Sequence, residues 1–223
     1  MSVPGPRGAS RGTRPPAQRR GRVRRQALLE AAVALLREGG FVAVTHRAVA
    51  HRAGLPLAAT TYYFASREEL LAEAFELLVA AELAGLGAAA RGADPLGALL
   101  ATCADDRAGQ IGLWELYLQA GRDPALQRVA RAWTDGVGEI VADALRAAGH
   151  SLGPADTRLV AVLLTGFWLE HLVEARPGAA EEGRALLERT LQTTRRRAGT
   201  PPDAPPGRPA GEPGESRRSG ESG

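Results

Sequence analysis

The chain has 223 residues, 44% of them apolar, enough for one large or two small domains, and its single cysteine, Cys103, excludes an internal disulfide and a cysteine-only metal site. It contains no run of about 18 apolar residues to span a bilayer, and no apolar segment follows the N-terminal arginines as a secretory signal requires, so the expected compartment is the reducing cytoplasm. All 28 basic residues are Arg, and they divide unevenly: residues 1–71 hold 12 Arg against 4 Glu, residues 72–223 hold 16 Arg against 21 acidic residues, a balance that offers one end of the protein to phosphate.

Residues 1–20 are rich in Arg, Pro and Gly and read as a disordered basic arm. A first helix is predicted over about 22–39, ended by Gly39-Gly40. Thr45 is a good N-cap for a second helix over 45–53, and Val44 and Val49 suit a hydrophobic staple across its start. Gly54 supplies the left-handed residue that ends it, and Pro56 prevents continuation. A short third helix follows over 57–63. Ser66 caps a fourth over 67–90, with Glu68 and Glu69 in the first turn, where the helix dipole favours negative charge. Five more helices are predicted over 95–107, 109–121, 124–148, 154–175 and 178–194, separated by Gly and Pro clusters, and residues 198–223 read as a disordered tail. Pro crowds into the two ends while the middle is rich in Ala, Leu, Glu and Arg, which predicts an all-α protein.

The layout of residues 41–71 is that of a helix-turn-helix. Arg25, Leu28, Leu29, Ala31 and Ala32 in the first helix, then Gly40-Phe41, Thr45, Ala53-Gly54-Leu55, Tyr62-Tyr63-Phe64 and Ser66-Arg67 with Leu70, together resemble the DNA-binding domain of the TetR family of bacterial regulators. Each motif alone is weak, but all of them in order at the right spacing are specific. The resemblance implies a three-helix head over 21–66 and a helical ligand-binding and dimerisation domain over 67–197. It makes 57–63 the recognition helix, reading bases through Leu57, Ala58, Ala59 and Thr61, with Arg47 from the helix before it. Arg47 can bond guanine O6 and N7 together, whereas Leu57, Ala58 and Ala59 offer only contact with thymine methyls. Phosphate contacts are implied for Thr45, His46, Tyr62, Tyr63 and Arg67. Which of Tyr62 and Tyr63 faces DNA stays open, and Phe64 is expected in the core. The chain departs from the family at Pro56, Ala58 and Thr60-Thr61, so its operator cannot be inherited from a relative.

In the C-terminal half, residues 155–175 are apolar on more than one face, so that helix must bury both sides. Leu159, Val162, Leu163, Gly166 and Leu169, with Leu187 and Leu191 of the last helix, are the expected homodimer contacts. Cys103, Gln110, Trp114, Tyr117, Trp133, Phe167 and His171 are the expected lining of a pocket for an apolar or aromatic small molecule.

Two function classes compete: a ligand-responsive DNA-binding regulator and an enzyme on a helical bundle. An enzyme needs an assembled site, and no H-E-x-x-H, E-x-x-H or Gly-rich phosphate loop occurs. The expectation is a repressor that binds double-stranded palindromic DNA as a homodimer, with no catalytic residue, metal, cofactor or membrane contact.

Overall fold

A computed structural model of the protein describes residues 16–101, 106–175 and 178–199. Among these the architecture is all-helical, and nine helices follow one another: α1 (Pro16–Ala43), α2 (His46–Arg52), α3 (Leu57–Tyr63), α4 (Arg67–Ala89), α5 (Pro95–Ala101), α6 (Arg107–Gln119), α7 (Pro124–Ala147), α8 (Pro154–Glu174) and α9 (Ala179–Gly199). No helix among the described residues is long and apolar enough to cross a membrane.

The caps lie where the side-chain chemistry asks for them. The Thr45 hydroxyl accepts from Ala48 N at 3.1 Å and opens α2, and the Ser66 hydroxyl accepts from Glu69 N at 3.1 Å and opens α4. Asp106 and Asp123 do the same for α6 and α7. Val44 and Val49 are both buried, completing the staple. Gly54 has a φ of 64°, a conformation with little penalty only for glycine.

The first helix departs from expectation at both ends. It begins at Pro16, a residue suited to a helix start, so residues 16–20 of the expected arm are helical; residues 1–15 of that arm lie outside the described residues. It then runs past Gly39 to a break at Gly40, where φ is 69°. The expected tail lies outside the described residues from residue 200 onward, and residues 198–199 complete α9. Residues 102–105, in the expected fifth helix, also lie outside them, and α6 starts at Arg107.

One continuous core unites the head with the helices behind it. It runs from Leu28, Leu36 and Phe64 through Phe75 and Leu78 of α4 to Leu113, Trp133, Val141, Leu164 and Trp168. The Trp168 indole donates to Leu99 O at 2.9 Å, which satisfies its polar atom inside that core.

Candidate DNA interface and effector site

The head is a tripod of α1, α2 and α3. Phe64 at the end of α3 is fully buried, and the Arg25 guanidinium of α1 lies 5.1 Å from its ring centroid. That contact fixes the recognition helix against α1. Leu55 N donates to Ala50 O at 3.0 Å across the α2–α3 turn and sets the angle between the two helices. Thr60 is buried, with its hydroxyl donating to Leu57 O at 2.7 Å. The opposite surface of α3 is therefore the outward one, and it exposes Leu57, Ala58, Thr61 and Tyr62, with Ala59 half-buried beside them.

The two tyrosines divide. Tyr62 is 80% exposed, whereas Tyr63 is half-buried and packs against the core. Their rings meet edge to face at 4.9 Å, and the Tyr63 hydroxyl comes close to Gly21 of α1. Tyr62 thus projects from the outer face, and Tyr63 packs between α3 and the core.

On α2, Arg47, His51 and Arg52 are exposed. Arg52 is engaged by Glu38, its Nη2 donating to Glu38 Oε1 at 2.7 Å, and that hydrogen bond holds the Glu38 carboxyl below its usual range. Arg47 has no hydrogen bond or ion pair among the described residues, so its fork of donors is available. His46 is half-buried with Nδ1 unpartnered among the described residues, and Thr45 is exposed with its oxygen accepting the cap bond.

Arg67, expected at phosphate, is engaged within the protein. Its Nε donates to Val44 O at 2.6 Å and its Nη2 to Phe41 O at 2.7 Å, while the guanidinium stacks 4.4 Å from the Phe41 ring centroid. Phe41 lies in the last turn of α1 and Val44 just beyond it, so Arg67 joins α4 to the α1–α2 link. Arg67→Ala should cost about 1.5–3 kcal/mol of folding stability, the range for hydrogen bonds to a charged group, readable as a lowered denaturation midpoint.

In the body, α6 carries Gln110, Trp114 and Tyr117 at successive helical turns. Gln110 is buried and its Nε2 donates to Glu82 Oε2 of α4 at 2.9 Å. Trp114 and Tyr117 meet edge to face at 5.4 Å, and the Tyr117 hydroxyl lies 3.2 Å from that of Thr134, next to buried Trp133 on α7. From α8, Phe167 and His171 lie with parallel rings, centroids 6.2 Å apart. Trp114 Nε1 and His171 Nδ1 are buried without a hydrogen-bond partner among the described residues, which is costly unless something else supplies one. Cys103 lies outside the described residues.

The expected dimer contacts separate into two groups. Leu159, Val162, Leu163, Gly166 and Leu169 form one face of α8, with Leu159 47% and Val162 51% exposed and open space where a Gly166 side chain would stand. Leu187 and Leu191 do not join that face: they are 3% and 5% exposed and belong to the protomer's own core, facing Leu96 and Leu100 of α5. The stripe of α9 is narrow enough to be filled by its own chain, and only Leu186 of its large apolar residues stands outward.

Two family profiles divide this architecture between them. The one described as "Bacterial regulatory proteins, tetR family" matches residues 28–74, and the one described as "Tetracyclin repressor-like, C-terminal domain" matches residues 87–193. Among solved structures, the multidrug binding protein EbrR complexed with ethidium is 32% identical, with a TM-score of 0.63 over 75% of this chain and 98% of that one. The chain belongs to the TetR family. A TetR-family member from Streptomyces coelicolor A3 is likewise 32% identical, with a TM-score of 0.62 over 75% of this chain and 97% of that one. No curated protein matches. The protein is a TetR-family transcriptional regulator with a helix-turn-helix head.

In this TetR-family protein the head and body are joined through α1 and α6. Gly112 lets α6 approach so closely that a side chain there would meet Leu36 O at 2.9 Å. The Glu115 carboxylate accepts from Phe41 N at 2.5 Å, just past the break at Gly40. Sequence reading misses this junction, because neither Gly112 nor Glu115 belongs to a recognisable motif.

Sequence reading also passes over Gly149-His150-Ser151-Leu152-Gly153, which spells the G-x-S-x-G of a hydrolase nucleophile elbow. That motif needs a strand-to-helix turn and a base beside the serine. Here the run links α7 to α8, Ser151 is exposed, and His150 instead accepts at Nδ1 from Arg195 Nη2 at 3.1 Å. Burial and the neighbouring Arg195 keep the His150 imidazole below its usual pKa, hence neutral, as that acceptor role requires.

Proposed function

We propose that the protein is a homodimeric repressor that binds a palindromic operator through α3 and Arg47 and is released by an aromatic small molecule held against α6. The observation that carries the reading is the outward face of the head: Leu57, Ala58, Thr61 and Tyr62 beside an Arg47 with no partner among the described residues. Small side chains on α3 allow close approach to base edges, and Arg47 supplies the donor pair that α3 lacks. Residues 21–66 form the reading head in this account, and residues 67–197 the ligand and dimerisation domain. Tyr62 of α3 and Thr45 and His46 at the start of α2 meet phosphate, and Arg67 braces the link that leads into α2. The compartment is the cytoplasm, where the operator lies.

The dimer supports this reading because two heads must reach successive major grooves, about 34–36 Å apart or a multiple of it. The apolar face of α8 from Leu159 to Leu169 is the surface that a second copy covers.

The effector reading rests on Trp114, Tyr117 and Trp133 as aromatic walls and on the unpartnered Trp114 Nε1 as a donor. Structures of EbrR complexed with proflavin, ethidium and malachite green make aromatic dyes of this kind the first probes to try. Trp114→Phe keeps most of the ring and removes the N–H. It should cost about 1 kcal/mol of dye affinity, the worth of one hydrogen bond, and leave dye-free operator affinity unchanged. Titrating proflavin against the protein–operator complex measures both quantities. Equal dye potency on the two proteins would remove Trp114 from the site.

A further inference from the structure

One guanidinium in the body is shared by two carboxylates. Arg37 of α1 donates through Nη2 to Glu82 Oε1 of α4 at 2.9 Å and through Nη1 to Asp106, the cap of α6. The second Glu82 oxygen is taken by Gln110 Nε2 of α6 at 2.9 Å. A single side chain therefore ties the last turns of the first head helix to α4 and to the aromatic-bearing helix α6. Arg37 stands three residues before the break at Gly40, beyond which the chain enters α2.

The charges at this junction do not balance. Two carboxylates face one guanidinium, and no other cation bonds either of them among the described residues. The Glu82 side chain is only 15% exposed, and burial pushes its carboxyl above the usual range, an effect that Arg37 and Gln110 offset only in part. A desolvated carboxylate with a surplus of negative charge beside it favours a further cation. Gln110 connects this group to the face of α6 that carries Trp114 and Tyr117, and aromatic faces attract planar cations.

We propose that Glu82 couples the effector site to the DNA head: a cationic aromatic effector on the α6 face draws the Glu82 carboxylate away from Arg37, and α1 is loosened from α4 and α6. This rests on the effector reading given above and assigns that effector a charge. Binding and release are then one event, because the carboxylate that holds the ligand is the one that holds the head. A ligand shifts the head only by its differential affinity for the tied and untied states. An uncharged ligand of the same shape leaves the tie in place.

The test compares Glu82→Gln, Arg37→Gln and the double variant, with Arg37→Lys as a charge-keeping control and circular dichroism to confirm folding. Operator affinity without dye, proflavin affinity, and affinity for acridine (uncharged at mildly alkaline pH) are measured for each. The tie predicts that Glu82→Gln and Arg37→Gln each weaken the operator complex by about tenfold, that the double variant is no worse than either, and that Arg37→Lys recovers part of the loss. Proflavin should bind about tenfold more weakly to Glu82→Gln and more tightly to Arg37→Gln, with acridine indifferent to both. Opposite signs for the two variants separate coupling from a structural role, which would move both the same way. Unchanged operator affinity in folded single variants overturns the tie. Equal proflavin binding by wild type and Glu82→Gln overturns the charge assignment. Failure of wild type to bind any dye overturns the effector reading, and the operator comparison then decides the tie alone.

Discussion

Val162→Glu should convert the dimer into monomers and weaken operator binding by about 100- to 10,000-fold, the gain that joining two binding modules provides. Val162 stands 51% exposed at the centre of the α8 face, between Leu159 on one side and Gly166 on the other. A two-fold interface presents the same patch from both copies, so one substitution places two carboxylates in it. Buried without partners, they cost far more than the lost valine contacts. The protomer itself should stay folded, since its core layer on α8 is made by Val160, Leu164, Phe167 and Trp168 on the other side. Sedimentation of the free protein and fluorescence anisotropy on operator DNA check the two halves of the expectation. A variant that remains dimeric would move the interface off this face.

Arg47→Ala should cost about 1–3 kcal/mol on the specific site and relax preference at one base pair in each half-site. Of the three outward basic side chains on α2, Arg52 is already committed to Glu38, and His51 lacks the forked donor pair. Arg47 alone combines that fork with a guanidinium that is unengaged among the described residues. Binding to random DNA should fall much less, because only the charge is lost there. An equal loss on both kinds of DNA would make Arg47 a phosphate contact.

The head was legible because its signals are local. A cap, a staple, a left-handed glycine and a box of three aromatics each act within a few residues, so Thr45, Val44 with Val49, Gly54 and Phe64 announce their places without reference to packing. The fold class and most helix boundaries followed for the same reason. Tertiary partners were not legible. Periodicity marked Leu187 and Leu191 as an apolar stripe but carried no information on whether a second copy or the chain's own α5 fills it. The resemblance implies a phosphate contact for Arg67, but nothing local announces its bonds to Val44 O and Phe41 O, more than twenty residues away in sequence. Tyr62 and Tyr63 are neighbours on a helix, and only the passage of α1 at Gly21 separated their roles. The tie among Arg37, Glu82 and Gln110 spans three helices and leaves no trace in any one of them.

Selection of bound sequences from random double-stranded DNA, followed by footprinting of the winner, shows directly whether the head reads a palindrome. A dimeric operator-binding repressor enriches an inverted repeat whose half-sites lie about 34–36 Å apart or a multiple of it, protected on one face of the duplex. Recovery of no common sequence, with binding that depends on salt alone, would contradict that reading.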